Sequence, residues 1–214
     1  MERTFIKDLR GKIDQTVKLQ GWLQTLRDQK KIQFLILRDP SGLAQVAHWK
    51  PNDEALAETI SKLGAESAIT VTGKVIDNPV VKLNGLEIQL ESMVVEGVSE
   101  SPLPFDPFAE TLPVLDYRLD WRYMDLRRPV NHLFFEVETT VEMAMREFWL
   151  ENNFIEVHSP KLTGSPSESG AELFSLDYFE RPAYLTQSPQ FYKQMAMAAG
   201  FERIFEIGPV FRAD

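Results

Sequence analysis

The sequence predicts an α+β protein in two parts, and three observations carry that reading. Residues 1–97 alternate short β-rich segments with turn residues and hold one helix. Residues 98–113 contain four prolines, a density that favours extended backbone and forbids a regular helix. Residues 130–150 carry one apolar stripe at helical spacing, followed by shorter strand and helix signals. At 214 residues the chain has length for one or two domains and ample apolar surface for a core. The expected division is 1–97, a linker and hinge over 98–129, and 130–214.

Within the first part, strand composition recurs over 16–26, 32–38 and 43–49, separated by Asp28-Gln29-Lys30-Lys31 and Asp39-Pro40-Ser41-Gly42. Leu56, Ile60 and Leu63 mark a helix over 53–63. Strands over 67–75 and 86–95 follow, on either side of an Asp77-Asn78-Pro79 turn. Three strands, a helix and two strands is the order of an OB-fold, a small barrel whose face commonly binds oligonucleotides. Charge is distributed in keeping with this. The chain carries −9 overall, yet residues 1–50 hold 10 Lys and Arg against 5 Asp and Glu. A basic leading part on an acidic body suggests a local polyanion contact and argues against a protein that simply coats nucleic acid. Taken alone, Phe34 suits either a core aromatic or a stacking surface.

The segment LDYRLDWRYMDLRRP alternates charged with apolar residues. Arg122, Arg127 and Arg128 there can meet phosphates or hold a hinge by pairing with aspartates. The stripe of the long helix consists of Phe134, Val137, Val141, Ala144, Met145 and Phe148, and Asn152-Asn153 end it. It fits packing within one subunit or against a second copy. A strand over 154–157 runs towards Pro160, and TGSPSESGAELF over 163–174 is a Ser- and Gly-rich loop.

The last stretch reads as strand, helix, strand. Ser188 can cap the helix, Pro189 suits its first position, and Gly200 stops it. Gln190 and Lys193 are three apart and share a helix face, so they can present an amide and an ammonium to one small anion. After Gly208-Pro209 the strand resumes at Val210-Phe211-Arg212, where Arg212 offers a fork that suits phosphate or carboxylate. The absence of Cys excludes disulfides, a thiolate nucleophile and cysteine-bound metal. The three His (His48, His132, His158) lie in separate segments and form no ligand set. No apolar run is long enough to span a bilayer and the N-terminus starts no signal peptide, so a soluble, cytoplasmic protein is expected.

QSPQFYKQ and FEIGPVFRAD resemble the active-site floor of the class II aminoacyl-tRNA synthetases, in their aspartyl branch of archaeal type. GWLQTLRD and FLILRDPSGLAQV resemble that family's N-terminal barrel, so the likeness runs through nearly the whole chain. It implies an OB-fold that holds the anticodon, followed by the start of an antiparallel-sheet catalytic domain. It implies that Phe34 stacks on an anticodon base while Arg27, Gln45 and Glu87 read base edges or phosphates. Glu168, Gln190, Lys193 and Arg212 would face the aspartate, Glu168 at its α-amino group. Arg212, the catalytic residue, would hold the ATP α-phosphate, with Asp214 also at the ATP end. The long helix, its strand and Pro160 would form motif 1 of a homodimer. The partners implied are tRNA(Asp), with tRNA(Asn) as a second candidate, L-aspartate, ATP and Mg²⁺.

Two departures qualify the match. Asp214 stands where the family usually has Glu, and Ser169 where it often has Gly. Motif 3 and the Mg²⁺-binding acids would lie beyond Asp214, so these 214 residues are expected not to aminoacylate unaided. An asparaginyl or lysyl relative, and a non-catalytic anticodon-binding module, are the alternatives.

Overall fold

β1 (Thr16–Asp28) is 13 residues long because it serves two neighbours. Its first half pairs antiparallel with β4 (Ala68–Asp77), Thr16 opposite Lys74. Its second half pairs antiparallel with β2 (Ile32–Asp39), Arg27 opposite Phe34. The changeover falls at Trp22, next to Gly21, where a Cβ would sit 2.1 Å from the carbonyl oxygen of Arg38. The register also shifts between Leu23 and Thr25. A glycine followed by a bulge is how a strand is bent enough for its sheet to close. β3 (Gly42–Trp49) continues from β2, β5 (Leu86–Gly97) pairs parallel with β3 and antiparallel with β4, and the barrel closes in the order β1-β2-β3-β5-β4.

Alternation along these strands fills the barrel. Leu19, Leu23, Leu35, Leu37, Val46, Val71, Val75 and Ile88 face inward and are buried. α1 (Glu54–Ser61) adds Ile60 to the same core. It is capped by Asp53, whose carboxylate accepts the Leu56 N–H at 2.9 Å. A short 3-10 segment, Ile6–Lys12, which the sequence reading passed over, contributes Ile6 and Leu9.

The computed structural model describes residues 1–165 and 173–212, and they divide into two units, Met1–Met124 and Asp125–Asp214. The proline-rich residues 98–113 therefore belong with the barrel. Ser99 Oγ donates to the Ala65 carbonyl at 2.6 Å, and the Arg38 guanidinium lies 4.4 Å from the Phe108 ring centroid. Beyond them the chain forms α2 (Leu115–Asp120) and α3 (Arg122–Asp125), both within the stretch read from sequence as a hinge.

The second unit opens with Arg128 paired to Asp125 at 3.4 Å, one of the Asp–Arg contacts a hinge calls for. α4 (Pro129–Glu151) takes Pro129 into its first turn. β6 (Ile155–Glu156) pairs parallel with β10 (Ile204–Phe205). β7 (Leu162–Thr163), β9 (Arg181–Leu185) and β8 (Ser175–Tyr178) form an antiparallel sheet in that order. α5 (Gln190–Ala198) lies between β9 and β10 in the chain. Trp149 of α4 packs on Phe205 with ring centroids 4.4 Å apart, and Arg146 joins Glu142 to Glu156 of β6. None of α4 is buried within the unit. No helix among the described residues is long and apolar enough to cross a membrane.

Two local expectations differ from the fold. The α5 helix starts one residue later than predicted, at Gln190, with Pro189 in the capping position and Ser188 Oγ accepting the Gln190 N–H at 3.2 Å. The strand expected over 210–212 does not form. Pro209 removes one ladder donor, and Phe211 gives its N–H to the Thr186 carbonyl at 2.9 Å.

Candidate functional site

Four strands of the barrel deliver one row of side chains to its outer face. Leu35 and Leu37 point inward, so Phe34 and Ile36 point outward, and Phe34 is half-exposed rather than part of the core. Across the ladders Arg27 is opposite Phe34, Gln45 opposite Ile36, and Glu87 beside Gln45. The Arg27 guanidinium lies 5.3 Å from the Phe34 ring centroid and donates to Gln45 Oε1 at 2.9 Å. Gln45 Nε2 in turn donates to Glu87 Oε2 at 2.8 Å. The residues singled out from sequence thus form one chain, Arg27–Gln45–Glu87, beside an aromatic ring. Gln45 is nearly buried and both ends of its amide are engaged, so it sets the positions of the exposed arginine and the glutamate. A ring with a cation over it, flanked by a donor and an acceptor, suits an unstacked base and its phosphate.

At one end of this face Asp28 meets the Lys50 ammonium and accepts from Gln33 Nε2 at 3.2 Å and Ser61 Oγ at 3.0 Å. The Lys50 contact foremost, then these donors, hold its carboxyl below the usual aspartate range. Gln33 is fully buried and also donates to the Ala57 carbonyl of α1 at 2.9 Å. This cluster ties the β1–β2 turn to the helix.

In the second unit backbone hydrogen bonds link the segments that carry Pro160, Gln190 and Arg212. Thr186 donates from its N–H to the Lys161 carbonyl at 3.0 Å and from its hydroxyl to the Pro160 carbonyl at 2.9 Å. The Phe211 bond to Thr186 then sets Arg212 alongside the stretch that leads into Gln190 and Lys193. Gln190 and Arg212 are exposed and Lys193 half-exposed. Glu168 and Asp214 lie outside the described residues. Surface hollows of 620 Å³ and 600 Å³ lie elsewhere on this unit, the first around Phe201 and Arg203, the second around His132 and Phe135. Neither takes in Gln190, Lys193 or Arg212. Among the described residues no three His, Cys, Asp or Glu groups gather to hold a metal ion.

Two polar clusters went unread in the sequence. Glu206 lies under the Pro160 segment, where it pairs with the Lys161 ammonium and accepts from Ser159 Oγ at 2.9 Å and the Ser159 N–H at 3.2 Å. Burial pushes its carboxyl up, but Lys161 and the two Ser159 donors outweigh that, and the net shift is downward. In the barrel, Arg38 and Glu66 form a buried two-pronged ion pair with both N–O distances at 2.7 Å. Trp22 lies beneath the same guanidinium, 5.7 Å to its ring centroid.

Residues 17–96 match the family model described as OB-fold nucleic acid binding domain, and residues 115–214 match tRNA synthetases class II (D, K and N). The chain is 45% identical over 201 residues to the aspartate–tRNA(Asp) ligase of Thermococcus kodakarensis, covering 94% of this chain and 46% of that protein. It is 46% identical over 201 residues to the aspartate–tRNA(Asp/Asn) ligase of Methanopyrus kandleri, covering 92% of this chain and 46% of that one. Among solved structures it superposes on an asparaginyl-tRNA synthetase from Pyrococcus horikoshii with TM-score 0.89 at 31% identity, over 100% of this chain and 49% of the other. A putative aspartyl-tRNA synthetase from Leishmania major gives 0.86 at 32%, over 100% and 44%. The chain spans about half the length of the curated relatives it matches.

Proposed function

Since this chain belongs to the class II tRNA synthetases of the D, K and N group, with an OB-fold nucleic acid binding domain in front, we propose that it is part of a cytoplasmic aspartate–tRNA ligase. In that reading it supplies the anticodon-binding barrel and the leading portion of the catalytic domain. The observation that carries the reading is 45% identity to an aspartate–tRNA(Asp) ligase along 94% of the chain. The Arg27–Gln45–Glu87 chain beside Phe34 supports it independently, because that arrangement suits an unstacked base.

The chemistry follows from the groups. An aspartate carboxylate oxygen attacks the α-phosphorus of ATP and expels pyrophosphate. A terminal ribose hydroxyl of the tRNA then attacks the aspartyl carbonyl and releases AMP. No protein nucleophile is needed, and the protein's task is to hold two anions together and stabilise the charge that grows on phosphorus. Arg212 is assigned to that phosphate, and Gln190 and Lys193, with Glu168, to the amino acid. The exposed apolar stripe of α4 is assigned to a second copy, giving a homodimer.

Binding of an RNA stem-loop bearing the tRNA(Asp) anticodon tests the barrel, with tRNA(Asn) loops compared alongside. Affinity is expected to fall steeply with salt, and Phe34→Ala to weaken it by about 1–3 kcal/mol. Unchanged affinity in the variant would return Phe34 to a purely structural role. Exchange of pyrophosphate into ATP, dependent on aspartate but not asparagine, tests the substrate in the ligase.

A further inference from the structure

The face that carries Phe34 continues beyond it. In the β2–β3 ladder Phe34 is opposite Ala47 and Ile32 opposite Trp49. Residues opposed across an antiparallel pair share a face, and their diagonal neighbours lie about 7–8 Å apart, within reach of aromatic side chains. Trp49 is the diagonal neighbour of Phe34 on that face. Val46 and His48 are buried, so alternation turns Trp49 outward, and it is 45% exposed. The diagonal is flanked by the small Ala47 on β3 and by Ile32 on β2. The surroundings are basic. The β1–β2 turn carries exposed Lys30 and Lys31, and the Lys50 N–H donates to the Lys31 carbonyl at 3.0 Å, tying the end of β3 to that turn.

We propose that Trp49 is a second stacking platform, for the nucleotide next to the one on Phe34, with Lys30 and Lys31 placed for the phosphates between them. This rests on the reading of the barrel as an anticodon-binding module. An indole offers the larger face, stacking on it tolerates any base, and the two lysines act without sequence preference. Trp49 therefore adds affinity and register, while discrimination stays with Arg27 and Glu87.

The experiment uses the 214-residue chain and a labelled anticodon stem-loop whose loop bases are replaced one at a time by abasic sites. Trp49→Ala should weaken binding about tenfold, and Trp49→Phe should stay within about threefold of the native chain. One abasic position should erase the Trp49→Ala penalty while leaving that of Phe34→Ala, and a neighbouring position should do the reverse. RNA should also quench indole emission in the native chain by an amount missing from Trp49→Phe, a readout that needs no alanine variant to fold. If Phe34→Ala weakens binding while Trp49→Ala binds as tightly as the native chain, the second platform alone is overturned. The same holds if the quench is identical in Trp49→Phe. If the native chain binds no stem-loop, the anticodon reading falls and takes Trp49 with it.

Discussion

Arg212 is where the proposed chemistry is most exposed to test. Charge on the α-phosphate grows in the pentacoordinate transition state, so an arginine there acts mainly on rate and less on ATP affinity. In the whole ligase, Arg212→Ala is expected to slow aspartate-dependent ATP–pyrophosphate exchange by roughly a hundredfold or more, the scale for one preorganised donor. Arg212→Lys keeps the charge, loses the fork and should not restore the rate. Near-normal exchange in Arg212→Ala with intact RNA binding would remove the assignment. Glu206 gives a second residue-scale outcome. Its carboxyl titrates lower in the fold than its ordinary value of 4.5, so it contributes stability above that pH and loses it as pH falls through the depressed value. Glu206→Gln should flatten the acid side of the thermal-midpoint profile between pH 6 and pH 3. A profile as steep as the native one would show that the Lys161 pair contributes little. The helix that carries Gln190 and Lys193 was legible because its spacing is a local signal. Lys161 and Glu206 were not, since 45 residues separate them and nothing near either points to the other.

Among the elements, the barrel was the most legible because burial of one face imposes a period of two. Leu35 and Leu37 alternate with Phe34 and Ile36, and a one-residue slip would exchange core for surface. The prolines of 98–113 announce a stretch without helix or strand, and none forms there. What could not be read is that it docks on the barrel, because Phe108 meets Arg38 across 70 residues of chain, and Arg38 meets Glu66 across 28. Arg38→Ala removes one partner of a buried two-pronged ion pair, a change that costs about 3–5 kcal/mol. A urea midpoint within experimental error of the native chain would contradict this. The strand expected over 210–212 shows the opposite failure. Its composition favours a strand, but Thr186 claims the Phe211 N–H first.

For the whole molecule the contrast lies between its two units. The barrel contains a closed core, while in the second unit Phe134, Val141 and Phe148 of α4 remain more than half exposed. A stripe of that size is expected to be covered. Sedimentation equilibrium of the 214-residue chain should show a dimer, and Phe134→Glu combined with Phe148→Glu should leave a monomer with native RNA affinity. A dimer that survives both changes would place the subunit contact elsewhere. Sequence could establish the stripe but not its partner, since packing within a subunit and packing between copies write the same periodicity.

The pairing order of the barrel also bears on how the protein is made. β5 is the last strand in the chain to join, and it is clamped between β3 and β4, so the cylinder cannot shut before Gly97 has left the ribosome. Once it has, every strand of that core is present. The 90 residues from 125 to 214 take about 5–18 s more at typical elongation rates. Throughout that interval a finished barrel precedes a growing chain whose long helix still shows its apolar side. Nascent chains long enough to expose residues up to Glu151 should therefore resist protease over the barrel, while the helix waits for cover.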